Sequence, residues 1–265
     1  MGGGYAIFDI RPTFRRLFEI LEIDTERLIQ IKHPTQFENI IVPDDSFLVT
    51  DTCFFTEEYR EMMERVRNFA LKNQTPSSVK KIYYFYGRNQ IGEERLAEYF
   101  KSKGYEVIQP EKLSLDEQLN VLINAESFAS TVGSCAHNSI FLREGTEVIL
   151  IPRVANRINL YQLALDQISK VNENYVDSSL SVFETLLGPY CFIISEQLKK
   201  FFGDEFDGYS EEDFRTFLTY ARVSANAGLK ENAKALPHYA PIMQKFYPQL
   251  KARGDLLKEF GIVLP

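Results

Sequence analysis

The 265-residue chain has no tryptophan, three histidines and three cysteines. Cys53, Cys135 and Cys191 are odd in number and far apart, so neither a disulfide framework nor a metal knuckle is expected, and a reducing cytosol fits best. His33 and His238 have no companions at ligand spacing, which argues against a zinc site. No apolar run approaches the roughly 18 residues of a membrane span, and the first residues lack the basic and apolar regions of a secretory signal. Neither a G-x-x-x-x-G-K-[ST] loop nor a G-x-G-x-x-G after a strand occurs, which disfavours ATP and NAD. A net charge of -7 and a pI near 5.2 disfavour a protein that coats nucleic acid, although a local basic pocket is still allowed. Solenoid repeats and low-complexity tracts are absent.

What remains is a globular composition, 45% hydrophobic and 25% charged, with 21 Phe and 14 Tyr that predict an aromatic-rich core. Phe14, Leu17, Phe18 and Leu21 follow Pro12 at helical spacing and predict a helix from about Pro12 to Glu22. LIQIK, FENIIVP and FLVT read as β-like runs, and EEYREMMERVRNFALKN, acidic early with Lys72 late, as a helix. QTPSS at 74–78 is the clearest linker. From residue 80, strands IYYFYG, YEVI, SFASTV and EVILI alternate with helical segments, one opened by a Ser114–Glu117 capping box and one the short helix AHNSIFLR. Beyond Pro152, INLYQLALDQISK reads as helix, NYVD as a short strand, and the last quarter as mostly helix. The expected fold is α/β: a Rossmann-like parallel sheet flanked by helices, a smaller N-terminal α/β lobe and a helical C-terminal region. The expected domains are 1–75, 78–200 and 201–265.

In TVGSCAHN a strand ends at Gly133 before a helix, a place where free amides can seat an anion such as a pyrophosphate. The alternative is a plain tight turn. Arg88 follows the strand IYYFYG at the carboxyl edge where open α/β sheets bind ligands, and a guanidinium can clamp phosphate, or stand as solvated surface. Cys135 and His137, at i and i+2, do not face each other on a helix and have no third orienting group, so a thiol nucleophile is rejected. His137 reads instead as a helix-terminus hydrogen-bonder or a ligand contact.

The run LSLDEQLNVLINAESFASTVGSCAHNSIFLREGTEVILIP resembles the glycosyltransferase family 61 domain, found in capsular-polysaccharide biosynthesis proteins, plant xylosyltransferases and eukaryotic O-linked N-acetylglucosaminyltransferases. Glu117, Gln118, Ala125, Gly133, Asn138 and Phe141 fall on the family pattern. At the front, YAIFDIRP places Asp9 and Pro12 on pattern, with Tyr5 where His is usual and Arg11 where Leu is usual. Val132 stands where many members have His, Ser134 replaces an Ala, and Gln90, Gly92 and Glu93 stand where members often carry a second Arg and an Asn-Glu pair. Members usually have a strand-rich stretch ahead of the front motif, so the N-terminal lobe is expected to be incomplete.

The resemblance implies a glycosyltransferase of GT-B type, moving a sugar with inversion from a nucleotide-sugar donor to a glycan or other hydroxyl in capsular or cell-surface polysaccharide assembly. It implies no cofactor and no metal. Asp9 is then the candidate base, although it also stands where it could cap the first helix. Arg88, Gly133, Ser134, Cys135, His137 and Asn138 are the candidate diphosphate contacts, and Glu117 a supporting or nucleotide-contacting residue. The implied partners are a donor, a UDP-sugar first among them, and a glycan acceptor. The location implied is cytoplasmic, with room for peripheral contact with the inner face of the membrane or a capsule-assembly complex. Two other classes stay open: a nucleotide-sugar-binding or assembly protein that has lost catalysis, and an α/β hydrolase using the same turn.

Overall fold

The computed structural model describes residues 5–7, 11–49, 53–88, 90–154, 158–181, 188–226 and 241–261. Asp9 lies outside the described residues.

Strand β1 (Tyr5–Ile7) pairs in parallel with β2 (Leu28–Gln30) around helix α1 (Pro12–Ile20), which opens on proline as expected. β3 (Phe47–Val49) and β4 (Cys53–Phe55) form an antiparallel pair ahead of α2 (Glu57–Lys72), whose N-cap Thr56 accepts the Tyr59 amide. FENIIVP forms no strand, against expectation: Ile40, Ile41 and Val42 are exposed, and a β-prone run with no ladder to join stays irregular.

Then come β5 (Lys81–Tyr84), β6 (Gln90–Ile91), α3 (Glu93–Ser102), β7 (Glu106–Ile108), α4 (Leu115–Asn124), β8 (Ser127–Thr131), β9 (Glu147–Ile151), α5 (Leu160–Ser169) and β10 (Asn172–Tyr175). Five of these strands make one parallel sheet in the order β10-β9-β8-β5-β7. Alternate side chains serve opposite faces. Ile82, Tyr84, Phe128, Val148 and Leu150 join Leu122 of α4 on one side, and Tyr83, Ala129, Ile149 and Ile151 join Leu96 and Phe100 of α3 on the other. Burial on both faces of the central strands is why IYY of β5 and VILI of β9 read as continuous apolar runs, while the edge strands β7 and β10 stay partly exposed.

Residues 12–72 dock on the α4 side. Ile20, Leu21, Val66 and Ala70 share a cluster with Leu119 and Ile123. The connection at 74–78 is clamped there by Asn124, which accepts from the Gln74 side chain (2.7 Å) and the Ser77 amide (3.2 Å) and donates to the Thr75 carbonyl (2.9 Å). At the other end, β11 (Tyr190–Cys191) pairs with β6, and α6 (Glu196–Phe201), α7 (Glu211–Asn226), α8 (Pro241–Ala252) and α9 (Gly254–Glu259) follow. Tyr209, Phe214, Phe217 and Phe246 build an aromatic core among these helices, tied to α3 by the ion pair of Arg95 with Asp213. Among the described residues no helix is long and apolar enough to cross a membrane.

Candidate functional site

The first strand of the sheet in chain order, β5, lies between the second, β7, and the third, β8. The connections leaving β5 and β8 therefore diverge to opposite sides, and this switch point is where open parallel sheets leave a crevice at their carboxyl ends. A cleft of about 240 Å³ is found there, lined by Tyr86, Arg88, Pro110, Glu111, Gln118, Ser134, Cys135 and Asn138. The loops after β5, β7 and β8 thus bring Arg88, Ser134, Cys135 and Asn138 together.

The β8 loop is a tight turn. Gly133, at φ +149°, passes into a 3-10 helix at Ala136–Phe141. The His137 amide donates to the Gly133 carbonyl (3.1 Å) and the Asn138 amide to that of Cys135 (3.2 Å), while the Asn138 side chain donates to the carbonyls of Ser134 (3.3 Å) and Cys135 (3.0 Å). The amides ahead of these have no acceptor in the helix itself. The short helix is 3-10 rather than α, so any anion held here relies on those amides and nearby cations, with little help from a helix dipole.

Below the turn, Ser139 Oγ (2.7 Å) and Gln162 Nε2 (2.8 Å) both donate to buried Asp166 of α5. Burial pushes the Asp166 carboxyl up to about 6 against those two hydrogen bonds. The folded state then holds this proton more tightly than the unfolded chain, so the stability it contributes is present below about pH 4 and is lost as pH rises through 6. Asp166→Asn should melt with the wild type near pH 4 and about 6 °C above it at pH 7.5. Parallel melting curves across that range would show that Asp166 does not titrate as assigned.

The β5 loop is held from beneath by a carboxylate. Glu93, at the start of α3, is fully buried and accepts the amides of Tyr86 (3.1 Å) and Gly87 (2.6 Å), the two residues before Arg88. Thr131, the last residue of β8, donates to Gln90 Oε1 (2.8 Å) and lies 3.4 Å from Glu93 Oε1, closing a network between the diverging loops. Burial raises the Glu93 carboxyl, and the Gly87 and Tyr86 amides, the charge of Arg153 and Thr131 pull it back. Gly92 lets α3 start here: its φ is +89°, and a Cβ would run into the Phe192 carbonyl.

The remaining candidates divide. Cys135 lines the cleft, but burial pushes its thiol up to about 12, so it stays a neutral thiol. His137 stacks on Tyr161 (5.9 Å between centroids), and burial, then Arg153, lowers it, leaving a neutral imidazole outside the cleft lining. Glu117 completes the capping box, its Oε2 accepting the Ser114 amide and hydroxyl (2.7 Å each), and it is the neighbouring Gln118 that faces the cleft. Tyr86, Pro110 and Glu111 carried no sequence signal. Glu93 showed in the sequence only within a Glu-Glu pair opening a helix and beside a departure from a pattern, and Arg153 is found by the rule that picked out Arg88, a cation just past the carboxyl end of a sheet strand. Among the described residues no cluster of three His, Cys, Asp or Glu is arranged to hold a metal.

These features define a doubly wound α/β protein with a cleft at its switch point. The glycosyltransferase 61 family model matches residues 7–149, more than half of the chain, and the chain belongs to that family. A search of curated proteins found no match. Membership makes this chain a glycosyltransferase, with a donor and an acceptor as its substrates.

Proposed function

We propose that the chain is an inverting, nucleotide-sugar-dependent transferase of GT-B type, and that the switch-point cleft holds the donor diphosphate. The observation that carries this reading is the convergence of Arg88 from one loop with Ser134, Cys135 and Asn138 from the next on a single cleft in a family 61 chain. Arg88 supplies charge and the Gly133–Asn138 turn supplies amides to the leaving diphosphate. Glu111 and Gln118, which line the same cleft, are suited to hydroxyl groups of the ribose or sugar. At about 240 Å³ the cleft is smaller than the ~300–1,000 Å³ of whole small-molecule sites, which fits the diphosphate end of a larger ligand.

In the reaction the acceptor hydroxyl oxygen attacks the anomeric carbon, the bond from that carbon to the diphosphate oxygen breaks, and a carboxylate takes the hydroxyl proton. Asp9 is the proposed base. Residues 1–75 would then serve the acceptor, 78–200 the donor, and 201–265 form a C-terminal helical segment. A UDP-sugar is the donor proposed, a capsular or cell-surface glycan the acceptor, and the cytoplasm the place of work, with room for peripheral contact with the inner face of the membrane. Glu117 is proposed to act only by capping α4.

A thermal-shift screen across nucleotides and nucleotide sugars tests the reading, because a ligand of the folded state raises the melting temperature by mass action. The stabilising donor is then turned over with glycan acceptors, and the anomer of the product is read by NMR. Transfer with inversion is the expected result. Tight nucleotide binding with no transfer to any acceptor would assign a binding protein instead, and phosphate release without an acceptor a hydrolase.

A further inference from the structure

A second cation stands at this sheet edge, beyond the segment that the family model covers. Arg153 follows Pro152 just past the carboxyl end of β9, the strand next to β8. Its Cζ lies over the Tyr86 ring, 5.2 Å from the centroid, and over the Tyr190 ring at 5.0 Å, both within cation–π range. Nε and Nη2 are buried and have no hydrogen-bond partner among the described residues. Buried N–H donors of a charged group are normally all used, and an idle pair marks a missing acceptor. The Gly133 backbone lies directly on this guanidinium: a Cβ at 133 would overlap its Cζ and both Nη atoms. Glycine therefore lets the turn that bounds the cleft settle onto the cation. Of the titratable groups around it, Glu93 is the opposing charge, while His137 and Cys135 are neutral.

We propose that Arg153 is a second cation of the diphosphate site: its guanidinium lies under the Gly133 turn and outside the cleft lining, and its idle Nε and Nη2 donors take a phosphate oxygen when that turn lifts from it. This rests on the donor-site reading above. It gives the diphosphate one guanidinium from the β5 loop and one from the end of β9, with the β8 turn between them in chain and sheet order. It also accounts for the two buried donors, Nε and Nη2, that the described residues leave without hydrogen bonds.

The test uses the full chain with inorganic pyrophosphate, UDP and uridine as probes, titrated by calorimetry, and apo melting as a separate readout. Arg153→Met keeps an apolar stem between the two tyrosines. It should bind pyrophosphate and UDP at least tenfold more weakly and leave uridine unchanged, while apo melting falls because buried Glu93 loses its opposing charge. Arg153→Lys, which keeps the charge without the planar fork, should fall between them. A lower apo melting temperature with pyrophosphate affinity within twofold of wild type would make Arg153 a packing residue and overturn the proposal. If the Met variant fails to fold, the Lys variant decides: weakened pyrophosphate binding supports the assignment and unchanged binding removes it. Arg153-dependent pyrophosphate binding without sugar transfer would uphold this site and sink the transferase reading. UDP binding lost in Arg88→Ala but intact in Arg153→Met would do the reverse, and a wild type that binds neither probe overturns both.

Discussion

Glu93→Ala is expected to lower the unfolding free energy by about 3–5 kcal/mol, the range for breaking a buried charged network by removing one partner. The carboxylate is fully buried, accepts two backbone amides and faces the charge of Arg153. Its loss leaves the Tyr86 and Gly87 amides without their acceptor and the guanidinium without its counter-charge, and each unpaired buried group costs on the order of 1–3 kcal/mol. Glu93→Gln retains one acceptor oxygen but turns an amide toward a second donor, so an intermediate loss is expected. Urea denaturation of the three proteins reads this directly. Because those amides immediately precede Arg88, both variants should also bind UDP more weakly. A Glu93→Ala protein within 0.5 kcal/mol of wild type, the ordinary range for surface changes, would show that the network does not hold the loop.

The fold was legible where local and global signals agree. The β5 and β9 runs are apolar on both faces and β7 and β8 are β-rich runs alternating with helical segments, so their strands and the parallel sheet follow from pattern. Ser114 and Glu117 announce their helix by a box that needs only four residues, and the helix forms as read. FENIIVP failed because strand propensity needs a partner, and pairing is a long-range fact that Ile40–Val42 do not carry. In the site, Arg88 and the Gly133 turn were visible because each sits at the end of an apolar run. Glu93 was not, since a Glu-Glu pair opening a helix reads as a solvated first turn, and only the fold buries Glu93 while Glu94 stays exposed. The lining by Pro110 and Glu111 depends on β7 neighbouring β5, an order set by the crossover connections.

Arg88→Ala is expected to weaken UDP binding by about tenfold to a hundredfold, as the loss of one charge-assisted hydrogen bond of roughly 1.5–3 kcal/mol requires. Arg88 is exposed at the cleft edge and supports no buried cluster, so the apo protein should melt as the wild type does. The effect should shrink as salt rises, because an exposed guanidinium is screened over about 10 Å at 0.1 M. Uridine lacks the phosphates and serves as the internal control. Calorimetric titration of wild type and Arg88→Ala with UDP and with uridine therefore tests the donor-site assignment most directly. The account predicts a loss of tenfold or more for UDP and none for uridine. Equal losses for both ligands, or UDP affinity unchanged by the substitution, would contradict it and return the switch-point cleft to an ordinary surface turn.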